Sequence, residues 1–155
     1  MSKQYVTYEL QDRVALIGLD RTEKRNAISM ELLEQFRQQA LRATEEADVG
    51  IVHAHGDHFC GGLDLAEVVR TMEAGAPRPT KRRRRLSHET LDIVARGPIP
   101  FVSALQGAVV GFGLEIAASV HIRVADSTAF FGLPEGQRGI FVGAGGSVRV
   151  QRIIG

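Results

Sequence analysis

The segment "QGAVVGFGLEIA", residues 106–117, sets the reading of this chain. An apolar strand runs into the turn at Gly111, and helix-forming residues follow. Glu115 lies in the first turns of that helix, between Leu114 and Ile116. A single glutamate near a helix start is ordinarily solvated and favoured by the helix dipole. In this apolar run a buried carboxylate is the better expectation. Burial raises its pKa towards that of a usable acid or base.

The same pattern occurs earlier, in "HGDHFCGGLDL" at residues 55–65. A strand ending in a double glycine, with a helix after it, lines up backbone N–H groups at a helix start. Such groups bind an oxygen that is, or becomes, negative. A turn needed only for chain reversal would look alike, and the motif alone does not separate the two. The third segment is "FFGLPEGQRGIFVGAGG", residues 130–146, with Glu135 after a proline in a glycine-rich loop. Taken alone, Glu135 reads as an exposed loop residue. Together, Glu115 and Glu135 would make a paired carboxylate site of one acid and one base.

Outward from these segments the chain alternates strands and helices. "YVTYEL" (5–10) and "VALIGLD" (14–20) read as a hairpin around "QDR". A helix is expected from about Ser29, a good N-cap, with Glu31 and Glu34 near its positive end. Its apolar stripe is Met30, Leu33, Phe36, Ala40 and Leu41. "GIVHAHG" (50–56) reads as a buried strand with poor alternation, and a helix begins near Asp64. Residues 75–85, "GAPRPTKRRRR", read as a loop, with a helix from Ser87 or His88. A strand in "IPFVSALQG", helix in the second half of "GFGLEIAASV", two short strands in "HIRVADSTAFFG" and a helix in "GGSVRVQRIIG" complete the order. Alternation of this kind predicts an α/β fold with parallel pairing, one domain over residues 1–155.

Composition narrows the function classes. The chain has 155 residues, 44% hydrophobic and 24% charged, with a formal net charge of +1. That balance exerts no global pull on nucleic acid or anionic membrane. No apolar run is long enough to span a bilayer, and the start lacks a signal-peptide core, so a cytoplasmic location is expected. One cysteine, Cys60, rules out an internal disulfide, and it reads as a small packed residue. His53, His55, His58, His88 and His121 lack metal-ligand spacing, so no metal is expected. The run Lys81–Arg85 reads as a solvated loop over the site entrance, which could attract phosphates, in preference to a nucleic-acid surface.

Four segments, "EKRNAIS", "GDHFCGGLDL", "LQGAVVGFGLEIAAS" and "FFGLPEGQRGIFVGAGGSVRVQRIIG", together resemble the crotonase, or enoyl-CoA hydratase/isomerase, family. Each is loose alone, but their order and spacing are specific, from about Arg21 to Gly155. The resemblance implies the ClpP/crotonase spiral core of repeated strand–strand–helix units. It implies an oxyanion hole whose backbone donors fall by position on Gly61 and Phe112. The family commonly has glycine where Phe112 stands, so its bulk is expected to narrow the acyl pocket. Hydratase members carry glutamates at both positions matching Glu115 and Glu135. The resemblance therefore implies a lyase of fatty acid metabolism that adds water across a 2-enoyl-CoA double bond. Glu115 would activate the water and Glu135 would protonate C2.

Coenzyme A, part of the substrate and not a separate cofactor, would meet Lys24, Arg25 and Ala27 at its nucleotide end. The backbone of Leu63, Asp64 and Leu65 would meet its adenine. The rivals are double-bond isomerisation, other thioester-enolate chemistry, or a non-catalytic acyl-CoA-binding or assembly subunit. Family chains continue past the segment matching "RIIG" into a helical region that closes the acyl pocket and builds a trimer or dimer of trimers. This chain stops at Gly155. The expectation is a fragment or shortened protein with weak activity at most. Its apolar face at Val148, Val150, Ile153 and Ile154 would drive self-association.

Overall fold

The computed structural model describes residues 3–74 and 79–155. Strands β1 (Val6–Gln11) and β2 (Val14–Leu19) pair antiparallel, Gln11 facing Val14. Asp12 and Arg13, both at positive φ, make the tight connection whose twist suits a two-residue hairpin. Helix α1 (Met30–Glu46) follows, capped by the Ser29 hydroxyl, which accepts from Leu32 N–H at 3.1 Å. Its buried stripe is Leu32, Leu33, Phe36, Ala40 and Ala43. Leu41, expected in that stripe, lies exposed beside it.

Strand β3 (Val49–Ala54) alternates buried and half-buried residues along its whole length, against the expectation of poor alternation. Gly50 supplies a buried step of that alternation because the Phe101 ring packs over it. After helices α2 (Leu65–Glu73) and α3 (Pro79–Arg96), the chain forms β4 (Phe101–Leu105) and β5 (Ala108–Val110). Helix α4 (Phe112–Ala117), strands β6 (Ile122–Ala125) and β7 (Phe130–Gly132) and helix α5 (Gly146–Ile154) follow. The helix of "GFGLEIAASV" thus fills its first part, not its second.

The main sheet has the order β1-β2-β3-β4-β6, parallel from β2 onward, and β5 pairs with β7 in a separate two-stranded sheet. The β5–β7 pair was not resolved by the sequence reading. It turns the backbone out of the main sheet just before Glu115. The core includes Ile17, Leu19, Val52 and Phe101 from the sheet, and Leu33, Phe36, Leu91 and Val94 from α1 and α3.

The basic run is the clearest correction. Residues 81–85 lie inside α3, while residues 75–78, part of the expected loop, fall outside the described residues. Proline is tolerated in the first helical turn and arginine is a good helix former, so composition misled. The run is not uniformly solvated either. Arg83 turns inward, its side chain 13% exposed, and pairs with Glu67 on α2 at 3.0 Å. Glu67 in turn accepts from Met30 N–H at the start of α1. Arg85 pairs with Glu89 one turn on. Arg83→Ala is expected to lower stability by about 1–3 kcal/mol, because it strands a half-buried carboxylate. Arg82→Ala, at an exposed position, should stay within about 0.5 kcal/mol. Urea unfolding of the two variants checks the contrast.

Candidate active site

Two glycine turns meet at one point. Gly62 has φ +100, a conformation that L side chains rarely adopt, and a Cβ there would stand 3.3 Å from Val110 O and 3.9 Å from Phe112 N. The backbone bridge of Cys60 with Val109 holds the two turns together, and that of Ile28 with Leu63 ties the first to the 24–28 segment. Cys60 packs inside this junction as expected. Burial pushes its thiol up to about 12, which leaves it no thiolate character at neutral pH.

The donor expected at Gly61 is not available. Gly61 N–H is given to Arg25 O at 2.8 Å, in the contact that ties the glycine turn to the 24–28 segment. Gly62 N–H points at the Cys60 sulfur at 3.4 Å, and Asp64 N–H is given to Ile28 O at 3.0 Å. Among the described residues this leaves Leu63 as the N–H of the turn with no protein acceptor, beside Phe112 N–H at the first position of α4. Phe112 is itself buried in the core while it forms part of the pocket wall.

Both glutamates are buried, Glu115 at 3% and Glu135 at 8% exposure. They line one pocket of about 650 Å³ with Gly62, Leu63 and Phe112. Glu115 is carried by α4. Its Oε1 accepts from Gly146 N–H, the first residue of α5, at 3.2 Å. The approach is so close that a Cβ on Gly146 would sit 2.6 Å from that oxygen. Glu135 opens a short 3-10 turn (Glu135–Arg138) after Pro134. Its Oε1 lies against Gly111, while its Oε2 is buried without a partner. A buried orphan oxygen is costly unless something else satisfies it.

Burial pushes Glu115 up to about 8; the Gly146 N–H works against the rise, and the Glu135 carboxylate adds to it. Among the described residues, no group of three or more His, Cys, Asp or Glu could hold a metal ion. No described helix is long and apolar enough to cross a membrane.

The segments expected at the coenzyme run side by side. Ile28 N–H donates to Gly62 O at 2.8 Å, and Gly61 reaches back to Arg25. Lys24 and Arg25 are exposed at this edge, while Ala27, Leu63 and Leu65 are half-buried. The Asp64 side chain is occupied within the fold. It pairs with Arg21 at 2.8 Å and accepts from Glu67 N–H at the start of α2. Sequence reasoning missed Arg21 and Asn26, which hold this edge in shape. Asn26 is fully buried and donates to His55 O at 3.0 Å and His58 O at 2.8 Å, fixing the loop that leads to the glycine turn. The available signal was an asparagine inside a polar turn segment, a residue type that tolerates the left-handed φ seen there.

Known structures share this architecture. An enoyl-CoA hydratase from Thermoplasma volcanium superposes with a TM-score of 0.89 at 30% identity, over 99% of this chain and 60% of that one. The fold is therefore the crotonase fold. The sequence profile of the enoyl-CoA hydratase/isomerase family matches residues 9–155, and the chain belongs to that family. Among relatives, the enoyl-CoA isomerase/hydratase fer4 of Mycosarcoma maydis is 38% identical over 88% of this chain and 53% of its own length. The mitochondrial methylglutaconyl-CoA hydratase of Mus musculus is 33% identical over 92% of this chain and 45% of its own. The chain spans about half the length of the relatives it matches.

Proposed function

We propose that this site hydrates a 2-enoyl-CoA thioester. The observation that carries the proposal is the convergence of two buried carboxylates and two unclaimed turn N–H groups on one pocket. The thioester oxygen takes the Leu63 and Phe112 N–H groups, which stabilise the charge that develops as the enolate forms. The thioester end of the acyl chain then lies between the glutamates. Glu115 removes a proton from the attacking water, oxygen bonds to C3, and Glu135 delivers a proton to C2. A proton passing back from Glu115 to Glu135 restores both groups, so the net change is addition of one water with no change of electron count. Coenzyme A runs out along the Lys24–Ala27 and Leu63–Leu65 edge, where the cationic Lys24 and Arg25 suit its phosphates. An oligomer is the expected working assembly.

A panel of 2-enoyl-CoA thioesters, followed through loss of the conjugated enoyl-thioester absorbance, tests the reading. A 3-enoyl-CoA substrate separates the rival, since isomerisation creates that absorbance and hydration consumes it. Failure to consume any 2-enoyl-CoA, with saturated acyl-CoA still bound, would make the chain a binder. The pH profile tests the roles. A base must be ionised to work, so with Glu115 up at about 8 the base limb of hydration kcat/KM should rise with pH through that region. A profile that falls there would make Glu115 the proton donor and exchange the two roles.

A further inference from the structure

We infer that Arg149 is the positioning residue for Glu115, its guanidinium holding the start of α5 against the carboxylate. The geometry begins at the turn before α5. Gly146 N–H holds Glu115 Oε1 at 3.2 Å, so the carboxylate can be no better placed than that turn. The Arg149 guanidinium folds back over the turn. It donates to Ala144 O at 2.6 Å and lies over Gly145, where a Cβ would run into its Nη1. Its other arm pairs with Asp92 on α3 at 2.8 Å. Only 17% of the Arg149 side chain is exposed. One guanidinium thus links α3, the turn and, through Gly146, the carboxylate on α4.

The charges around Glu115 come from every element packed there. Glu135 faces it from the 3-10 turn and, when it carries charge, opposes ionisation of Glu115, while Arg149 favours it. Arg83 and Arg84 on α3 and Arg138 on the 3-10 turn line the same pocket. Arg83 is matched by Glu67. Arg149 is the cation held against the turn that contacts the carboxylate. An arginine that served only to pack α5 would not need a line of fixed contacts ending on Glu115.

The inference deepens the hydration reading, and its test does not depend on that reading. The titration of the Glu115 side-chain carboxyl is followed by 13C NMR in the full chain, in an E135Q background that removes the coupled partner. R149Q keeps a hydrogen-bond donor near Ala144 O but drops the charge, and should raise the midpoint by roughly half a unit or more. R149K should hold it near that of the parent. D92N breaks the same ion pair yet keeps the cation, so its midpoint should stay level or fall. Asp92 is half-exposed, so this variant remains informative if R149Q does not fold. An unmoved midpoint in R149Q, or a rise in D92N, would overturn the inference. With Glu135 intact, the acid limb of hydration should follow the carboxyl when Arg149 alone is changed. A midpoint that shifts in the E135Q background, while the chain with Glu135 intact hydrates no 2-enoyl-CoA, would sustain the role of Arg149 and defeat the reading of the reaction.

Discussion

Glu115→Gln and Glu135→Gln are each expected to lower the turnover of 2-enoyl-CoA hydration by roughly a hundredfold or more, the usual loss for a positioned general acid or base. Glutamine keeps the shape and one acceptor oxygen, so the Gly146 N–H can still find its partner. What disappears is the ability to take or give a proton. Binding of a saturated acyl-CoA should change little, because the turn N–H groups and the coenzyme edge are untouched. The effects of the two variants should combine less than additively if the carboxylates act as one unit.

Unfolding would imitate this loss, and pH distinguishes the two. Folding raises the Glu115 pKa from 4.5 to about 8, so the folded state holds the proton more tightly. Stability from this group is full below the unfolded value and is lost as pH rises towards the folded one. Glu115→Gln removes that decline. The variant should therefore be at least as stable as the parent near pH 8, measured by thermal unfolding, while it fails to turn over. Near-normal turnover in either glutamine variant would end the acid–base assignment.

How much of this was readable from the residues varies with the range of the interaction. The Ser29 cap, the hairpin at Asp12 and Arg13, and Leu33, Phe36 and Ala40 of the α1 stripe are local, and local spacing predicted them, though it put Leu41 in the stripe and left out Leu32 and Ala43. The pairing of Glu115 with Glu135 is not local. Twenty positions separate them, and nothing in either segment says that β5 and β7 lie side by side; residue chemistry suggested the pair, and the family resemblance gave it roles. Lys81–Arg85 failed for another reason. Charge density suggested solvent, but helical spacing sends Arg83 towards Glu67 and leaves Leu86, Thr90 and Val94 buried.

The Gly61 donor shows the same limit at the scale of one atom. Motif position indicates a turn with free N–H groups. Which of them is free depends on Arg25 O, more than thirty residues upstream, which claims the Gly61 proton and leaves that of Leu63. Arg21 and Asn26 escaped notice because their partners are backbone carbonyls and a carboxylate brought near only by folding.

At micromolar concentration the 155-residue chain is expected to self-associate, and the structure moves the cause away from α5 alone. On that helix Val148, Ile153 and Ile154 are exposed, but Val150 is half-buried, so the apolar face is narrower than the spacing suggested. Larger apolar surface lies on the strands. Ile122 and Val124, two residues apart on one face of β6, are 58% and 59% exposed, and Phe130, Phe131 and Phe141 are open as well. Burying a side chain of this kind contributes about 1.5–3 kcal/mol, so several together can hold two chains in contact. β6 is also an edge strand of the main sheet. Its outer backbone groups offer a template for pairing with another chain. The measurement is light scattering or sedimentation over a dilution series, on the parent and on the double variant Ile122→Lys with Val124→Glu. The parent should show mass that rises with concentration, and the double variant should lose most of that rise while it keeps its helical signal. A parent that stays monomeric across the series would mean that these strands are tolerated in water. A double variant that associates as strongly as the parent would return the contact to α5.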